Sequence, residues 1–336
     1  MRFAAAAHVT ALFAAAAAVL GGCTTSGSAP NPPLPVLAPP GAATEYAIPT
    51  AGSHPFGLIT GPDGNMWFTE FSTDKVGDVT TSGTLTEVST LPAGTEPFGI
   101  AVGNDSRLWF AEESSSNEVA AITTLGTVTQ YTGTAGFSRN TVLGPDHRIW
   151  FTDAGDNAIE AITTTGTISI YSIPTASSSP YGIALGPDGN LWFTEANNAA
   201  PKIGKITTAG VITEYPVAGA TELFFIATGS DGNLWFTDYL GNHVGKMTTS
   251  GTVTLYSPPT ANSNPYGITA APNGDLYFTE ENVGKIGKVR PADGKIVESA
   301  VLPSGASADP AAITSGPDGN IWFTEVLANK IGKIVP

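Results

Sequence analysis

The stretch PYGIALGPDGNLWFTE, residues 180–195, decides the fold of this chain. Close copies of it recur along the sequence, each centred on a Trp-Phe or Tyr-Phe pair, and successive pairs are separated by 42, 41, 42, 43, 42 and 45 residues. All six tryptophans belong to the series, so the period is not a chance alignment of common residues. A period of about 40 to 50 residues is typical of a β-propeller blade. The seven pairs begin at Trp67, Trp109, Trp150, Trp192, Trp235, Tyr277 and Trp322.

Each repeat contains four short strand-like runs. In the fourth repeat they cover residues 182–185, 191–195, 202–207 and 211–215. A Gly-Pro-Asp-Gly turn separates the first run from the second, because proline fixes φ and glycine supplies the positive φ that a tight turn needs. No window shows an amphipathic helical period. The sequence therefore predicts an all-β fold, a seven-bladed β-propeller of four-stranded blades.

The two ends of the chain predict how the ring closes. The last repeat stops after its third strand, residues 330–334, and leaves the seventh blade without an outer strand. Residues 44–50 match the fourth strands of the other repeats and precede any first strand. We therefore expect an N-terminal strand to complete the C-terminal blade, which leaves no open blade edge.

Residues 1–22 have the composition of a secretory signal peptide. They hold one early positive charge, Arg2, no acidic residue, and an alanine-rich apolar stretch that is too short to span a membrane. Leu20-Gly21-Gly22-Cys23 resembles the bacterial lipobox, in which the cysteine is lipidated and becomes the mature N-terminus. The alternative is an ordinary secretory signal with a chance cysteine. Cys23 is the only cysteine of the chain and has no disulfide partner.

The domain organisation follows from these features. We expect a signal peptide over residues 1–22, a lipidated cysteine and a Pro/Ser-rich tether over 23–43, and the propeller over 44–336. The protein would then be extracytoplasmic and lipid-anchored to a bacterial membrane. In a Gram-negative organism this would be the outer membrane, because Thr24 rather than aspartate follows the cysteine.

The charge balance limits the partners. The chain has 14 Lys and Arg against 29 Asp and Glu, a formal net charge of −15. Such a balance argues against nucleic acid and against electrostatic adhesion to anionic lipid, so membrane attachment must come from the N-terminal lipid anchor. An acidic surface favours cationic ligands or divalent metals, or it serves solubility alone.

One repeated position is acidic in every blade. It lies at the end of the second strand. Antiparallel geometry places this end on the face of the ring that carries the loops between second and third strands and the crossovers between blades, called here the top face. The first strands line the central channel, and the mouth of that channel opens on the top face. Seven carboxylates in one layer would suit magnesium or calcium. The alternative is a structural device that accepts bonds from loop N–H groups or from lysines of the third strand. The residues are Glu70, Glu112, Asp153, Glu195, Asp238, Glu280 and Glu325.

A second repeated position, at the start of the first strand, is mostly aromatic. Side chains there would face a ligand at the channel mouth, which makes them candidate substrate-binding residues. Packing between neighbouring blades is the alternative. The candidates are Phe56, Phe98, Arg139, Tyr181, Phe224 and Tyr266, and in the seventh blade the position is Ala311, so a pocket would be lopsided towards blades three and seven.

Three further acidic residues precede the first strands and can pair with the second-strand carboxylates. Each pair offers two metal ligands, and the pairs are Glu96 with Glu112, Glu222 with Asp238, and Asp309 with Glu325. The three histidines beyond the signal peptide are expected on the surface, namely His54 and His243 on the top face and His147 in a bottom turn.

The repeats GPDGNLWFTE, KIGKITT and PYGI, over residues 44–336, resemble the virginiamycin B lyase family of seven-bladed propellers. The resemblance implies a magnesium-dependent enzyme that opens cyclic streptogramin B antibiotics by C–O elimination. It implies metal-binding carboxylates at Asp309 and Glu325, and histidines nearby of which one abstracts the proton. Where those histidines would stand, this chain has Ala311 and Ala328. Elimination needs a base beside the acidic proton, and alanine cannot serve.

Two classes of function follow. The first is a lipid-anchored, non-catalytic recognition propeller that binds a small molecule, glycan, peptide or protein at the channel mouth. The alternative is an enzyme, either a magnesium-dependent streptogramin B C–O lyase or a related metal-dependent enzyme acting on lactones. A purely structural spacer is the third possibility.

Lipidation of Cys23 can be tested by fractionation. A multiply acylated cysteine holds a protein stably at a membrane, whereas a single chain does so only marginally. We expect Cys23→Ser to move the protein from the membrane fraction to the soluble fraction. Retention of the variant in the membrane fraction would contradict the lipobox interpretation.

Overall fold

The computed structural model describes residues 34–113, 119–133, 136–197 and 199–336. Its compact unit extends from Leu37 to Pro336. The signal peptide and Cys23 lie outside the described residues, so their roles stay predictions. Among the described residues, no helix has the length and apolar character needed to cross a membrane.

In the described residues, twenty-eight strands form seven antiparallel sheets of four strands each, which confirms the predicted fold class. Neighbouring first strands contact one another around the ring, including the first and the seventh. The first strands are β2 (Pro55–Thr60), β6 (Pro97–Val102), β10 (Ser138–Leu143), β14 (Pro180–Leu185), β18 (Leu223–Thr228), β22 (Pro265–Ala270) and β26 (Pro310–Ser315). The second strands are β3 (Met66–Glu70), β7 (Leu108–Glu112), β11 (Ile149–Asp153), β15 (Leu191–Glu195), β19 (Leu234–Asp238), β23 (Leu276–Glu280) and β27 (Ile321–Glu325).

The two outer strands of each blade complete the sheets. The third strands are β4 (Lys75–Val79), β8 (Val119–Ile122), β12 (Ala158–Ile162), β16 (Lys202–Ile206), β20 (His243–Met247), β24 (Lys285–Arg290) and β28 (Lys330–Ile334). The fourth strands are β1 (Ala43–Ala47), β5 (Leu85–Thr90), β9 (Val128–Tyr131), β13 (Ile168–Ser172), β17 (Ile212–Pro216), β21 (Val253–Tyr256) and β25 (Lys295–Glu298). Three short 3₁₀ turns, at Phe71–Thr73, Glu281–Val283 and Ala306–Ala308, are the helical elements of the described chain.

The N-terminal strand closes the ring as the sequence predicts. Strand β1 pairs antiparallel with β28, from Ala43 opposite Ile334 to Ala47 opposite Lys330. The chain before β1 also contacts this blade, because Leu37 is buried and the Gly41 N–H donates to the Val335 carbonyl at 3.0 Å. The docked segment thus begins ahead of residue 44.

The aromatic pair of each repeat forms the core between blades. All six tryptophans and the phenylalanine beside each are at most 1% exposed. The Trp192 indole N–H donates to Asp188 of the preceding turn at 2.9 Å, and its ring stacks on Tyr215 of the fourth strand. The other five tryptophans also donate to the turn aspartate four residues earlier. The Gly-Pro-Asp-Gly turn is therefore tied to the core that it precedes.

A glycine in the third strand makes room for the phenylalanine. A Cβ added at Gly204 would overlap the Phe193 ring, and the same holds for four other blades. Close approach of backbone to a buried ring is what glycine permits in a strand. The glycines are Gly77, Gly204, Gly245, Gly287 and Gly332, with Ala120 in blade two and Glu160 in blade three.

Ring closure by β1 predicts an unequal effect of two truncations. Deletion of residues 24–36 should leave the melting temperature nearly unchanged, whereas deletion of residues 24–50 should lower it by roughly 10 °C or more, because β28 loses its ladder partner. Differential scanning calorimetry of both variants measures the difference. Equal melting temperatures would contradict the closure.

Candidate functional site

The aromatic side chains at the starts of the first strands form one cluster. Phe98, Tyr181 and Tyr266 are buried, while Phe56 and Phe224 keep part of their surface exposed. Ring centroids are 4.5 Å apart for Phe56 and Phe98, and 4.6 Å apart for Tyr181 and Phe224. The structure thus brings together all five predicted aromatic residues. They pack across neighbouring blades and still present apolar surface.

Two local features place these rings. In every blade the register between the first and second strands shifts at this first-strand position, for example between Pro180 and Ile183, and such bulges redirect side chains. A threonine of the preceding blade then donates to the carbonyl of the first-strand residue. Thr194 donates to the Phe224 carbonyl at 2.5 Å, and five other blades repeat the bond at up to 3.2 Å. The bulges and the hydrogen bonds between neighbouring blades therefore hold these residues in place around the channel mouth.

Arg139 and Ala311 break the aromatic series. The Arg139 guanidinium lies 4.8 Å from the Tyr181 ring centroid and forms an ion pair with Glu113 at 3.0 Å. Burial raises the pKa of Glu113, and the Arg139 charge opposes that shift. Ala311 is 3% exposed and packs within the aromatic cluster. The residue at this position of the mouth is therefore a charged side chain in blade three and a small side chain in blade seven.

The hydroxyls of Tyr181 and Tyr266 hydrogen bond to each other within the cluster. Burial raises the pKa of both phenols well above the ordinary value. Both tyrosines therefore stay neutral across the physiological pH range.

A small cavity lies below the aromatic cluster. It measures about 70 Å³ and is lined by first-strand residues, including Leu58, Ile100 and Ile313. That volume holds a few water molecules and no drug-sized ligand. A larger ligand would have to bind at the mouth.

A wider cleft of about 370 Å³ opens beside the mouth, between blades five, six and seven. Its lining includes Tyr239, Glu281 and Asp309. Burial is the main cause that raises the pKa of Glu281 to about 8, and the neighbouring Asp309 carboxylate adds to this shift. Burial also raises the pKa of Tyr239 to about 12, and the nearby Glu281 carboxylate contributes. The cleft therefore holds two carboxyl groups within hydrogen-bond reach of each other. Glu281 directly follows the repeated Glu280 and is not among the site residues that the sequence predicts.

The second-strand carboxylates are all fully buried. In four blades each lies beside a third-strand lysine and a fourth-strand glutamate, and the lysine forms an ion pair with that fourth-strand glutamate at 2.7–3.5 Å. The same fourth-strand glutamate accepts a backbone N–H from the crossover that enters its blade. These Glu–Lys–Glu clusters are Glu70, Lys75 and Glu87; Glu195, Lys202 and Glu214; Glu280, Lys285 and Glu298; and Glu325, Lys330 and Glu45.

The Glu–Lys–Glu clusters support the structural interpretation of the acidic position in these four blades. They fasten each crossover to the blade that it enters, and in blade seven the N-terminal Glu45 does so through Ser304. In blade five Asp238 accepts N–H groups from Thr221 and Glu222, both at 2.9 Å, and contacts His243 Nδ1 at 2.9 Å. In blade five the repeated carboxylate therefore binds loop N–H groups. In the four Glu–Lys–Glu clusters the fourth-strand glutamate binds the crossover, and the repeated glutamate is buried beside the lysine.

The structure gives Asp309 and Glu325 different surroundings. Asp309 lies in the cleft with Glu281, whereas Glu325 is fully buried, and its electrostatic neighbours are Glu45 and Lys330. In blade two the Gln130 side-chain N–H contacts Glu112 at 3.4 Å, and Glu96 lies near Glu113. A metal held by Asp309 and Glu325 stays a prediction.

Two of the three described histidines contact a neighbouring side chain, and the third lies in a turn. His54 Nδ1 contacts the Ser72 hydroxyl at 2.6 Å on the top face. His243 contacts Asp238 in blade five, as described above. His147 takes a positive φ of 65° in a turn between β10 and β11.

The fold and this mouth define the class of protein as a seven-bladed β-propeller with an aromatic top-face site. The virginiamycin B lyase family model matches residues 34–223 and 218–336. The chain therefore belongs to the virginiamycin B lyase family.

Solved structures agree with this assignment. A streptogramin B lyase is 33% identical, with a TM-score of 0.80, over 87% of this chain and 96% of that chain. A catalytically inactive histidine-to-alanine variant of virginiamycin B lyase from Staphylococcus aureus, with quinupristin, is 34% identical, with a TM-score of 0.80, over 88% of this chain and 99% of that chain. A hydrazine synthase from Kuenenia stuttgartiensis, 18% identical with a TM-score of 0.71 over 86% of this chain and 97% of that chain, shares the fold alone. A comparison with curated proteins gave no match.

The Glu–Lys–Glu clusters predict a pH-dependent stability. Burial raises the pKa of Glu70 and Glu325 to about 7, and that of Glu195 and Glu280 to about 8. The folded chain then binds more protons than the unfolded chain above pH ~4.5, so stability falls as pH rises from ~5 to ~8.

Melting temperatures at pH 5 and pH 8 measure this dependence. Glu195→Gln should weaken it, because the amide does not titrate, whereas the surface variant Asp293→Asn should preserve it. An unchanged pH dependence in Glu195→Gln would show that this carboxyl titrates normally.

Proposed function

We propose that this chain is a ligand-recognition propeller that binds a streptogramin-type cyclic peptide at its mouth without opening the ring. The observation that carries the proposal is the aromatic cluster that surrounds Ala311, where the family resemblance implies a histidine. A site that keeps apolar binding surface and lacks its base is suited to binding alone.

The binding surface is apolar with a few polar groups. The partly exposed rings of Phe56 and Phe224 offer faces for an aromatic or aliphatic side chain of the ligand. Arg139, held by Glu113, offers a charged donor on the side of blade three. The neutral hydroxyls of Tyr181 and Tyr266 bond to each other, which stiffens the floor of the mouth. Such preorganisation lowers the entropic cost of binding.

Loss of the base supports binding over elimination. Ala311 contributes only a methyl group beside the aromatic rings, and Ala328 packs beside the core of blade seven. In the Staphylococcus aureus relative, a variant with alanine in place of a histidine is catalytically inactive. Removal of a proton next to a carbonyl requires a group with a suitable pKa within hydrogen-bond reach.

The cleft carboxylates fit a divalent metal in part. Glu281 and Asp309 supply two oxygen ligands whose mutual repulsion a cation would relieve, and oxygen ligands suit magnesium. Magnesium bound there would supply positive charge to polarise a ligand carbonyl. Glu325 fits less well, because Lys330 already lies beside it within the fourth Glu–Lys–Glu cluster.

The location belongs to the proposal as well. A signal peptide over residues 1–22 and lipidation of Cys23 would hold the propeller at the outer side of a bacterial membrane. The segment up to residue 36 would then separate the domain from the lipid surface. Antibiotic-like peptides would meet the propeller before they reach the cytoplasm.

Quinupristin is the probe that tests the proposed function. Titration calorimetry with magnesium present should show binding, and Phe224→Ala should weaken it about tenfold through loss of ring contact. Ile170→Ala on the outer strand β13 is the matched control and should bind like the wild type. Mass spectrometry after prolonged incubation should find the intact macrocycle.

Two results would overturn this proposal. Absence of quinupristin binding would exclude a streptogramin-type ligand. Linear product formed at an enzyme-like rate would favour the lyase alternative, and loss of that product in His54→Ala would identify the replacement base.

A further inference from the structure

Blade three departs from the repeat at three adjacent positions. Its third strand carries Glu160 opposite Phe151, where five blades have glycine and blade two has alanine. Ala158 stands opposite Asp153, where four blades place a lysine. Ile170 occupies the fourth-strand position of the glutamate that elsewhere pairs with this lysine. The blade has thus gained a buried acid and lost the neighbouring cation.

The acidic side chains of blade three converge. Oxygen atoms of Asp153, Asp156 and Glu160 lie within 4.8 Å of one another. Asp153 and Glu160 are fully buried, and Asp156 is exposed in the loop between β11 and β12. The group therefore reaches from the interior of the blade to solvent, so an ion could enter from the loop.

One carboxylate oxygen of Asp153 is left without a hydrogen-bond partner. Asp153 Oδ1 accepts N–H groups from Phe137 at 3.1 Å, Gly155 at 2.8 Å and Asp156 at 3.0 Å. Asp153 Oδ2 is buried and accepts none. A buried carboxylate oxygen without a partner carries a large desolvation cost, which a bound cation would offset.

The other blades show what is missing. In blade five the equivalent carboxylate, Asp238, contacts His243 through its Oδ2 atom. In four blades a lysine lies beside the acids. Within the described ranges, no lysine, arginine or histidine forms a salt bridge with Asp153 or Asp156. In blade three the position of this lysine is taken by Ala158, which stands opposite Asp153.

We propose that Asp153, Asp156 and Glu160 bind a calcium ion that takes the place of the repeat lysine in blade three. Three carboxylates supply the hard oxygen ligands that calcium prefers, and calcium tolerates irregular geometry and bidentate carboxylates. Magnesium demands a near-ideal octahedron at shorter distances, which two strands and a loop fit less readily. The site lies away from the cleft of blades five to seven and is independent of the proposed function.

The full chain, stripped with EDTA and then titrated with calcium chloride, tests the site. Calorimetry should show one ion per chain, and a calcium concentration about 100-fold above Kd should raise the melting temperature by roughly 5 °C. Glu160→Ala should abolish the shift and still fold, since alanine occupies this position in blade two. Asp156→Asn, at an exposed position, should weaken binding at least about tenfold.

Two control variants separate this site from other acidic groups. Asp293→Asn removes a surface charge elsewhere, and Glu281→Gln alters the top-face cleft, so both should keep the full calcium shift. No calcium binding by the wild type, or a shift that persists in both Glu160→Ala and Asp156→Asn, would overturn the proposal. Equal affinity for magnesium would overturn the assignment to calcium.

Discussion

The structure depends on the packing of one buried aromatic pair per blade, which in five of the seven blades lies against a glycine of the next strand. Trp192 lies in the core shared with blade five, and Phe193 lies in the core shared with blade three. Gly204 leaves the space that the Phe193 ring fills. Because the same arrangement repeats around the ring, each blade is stabilised mainly by its two neighbours, and closure by β1 gives the last blade the same support.

The same packing builds the top face. Thr194, next to the aromatic pair, donates to the carbonyl of Phe224 in the following blade. This hydrogen bond connects the core directly to a residue of the mouth. In blade two the threonine position is Ala111, which has no hydroxyl to donate to the following blade. The first-strand residue of that following blade is Arg139, which also breaks the aromatic series. The blades differ at the top face in two places: Arg139 in blade three, and the Glu281 and Asp309 pair between blades six and seven.

Much of this arrangement is predictable from sequence because it is periodic. The turn residues and the Trp-Phe series place the strands of the fourth repeat within two residues of those observed, and the match of residues 44–50 predicts ring closure. The cleft was not predictable in the same way. Glu281 and Asp309 come from different blades, and no fixed spacing relates them. The surroundings of Glu325 also depend on Glu45, which is distant in sequence and adjacent only once the ring is closed.

The central claim is that this member of the virginiamycin B lyase family recognises a macrocycle without breaking it. A crystal structure of the chain grown with quinupristin and magnesium tests this claim most directly. We expect an intact ring at the mouth, with an apolar group of the ligand against Phe56 and Phe224. A linear peptide in the site, or a macrocycle bound away from the mouth, would contradict the account.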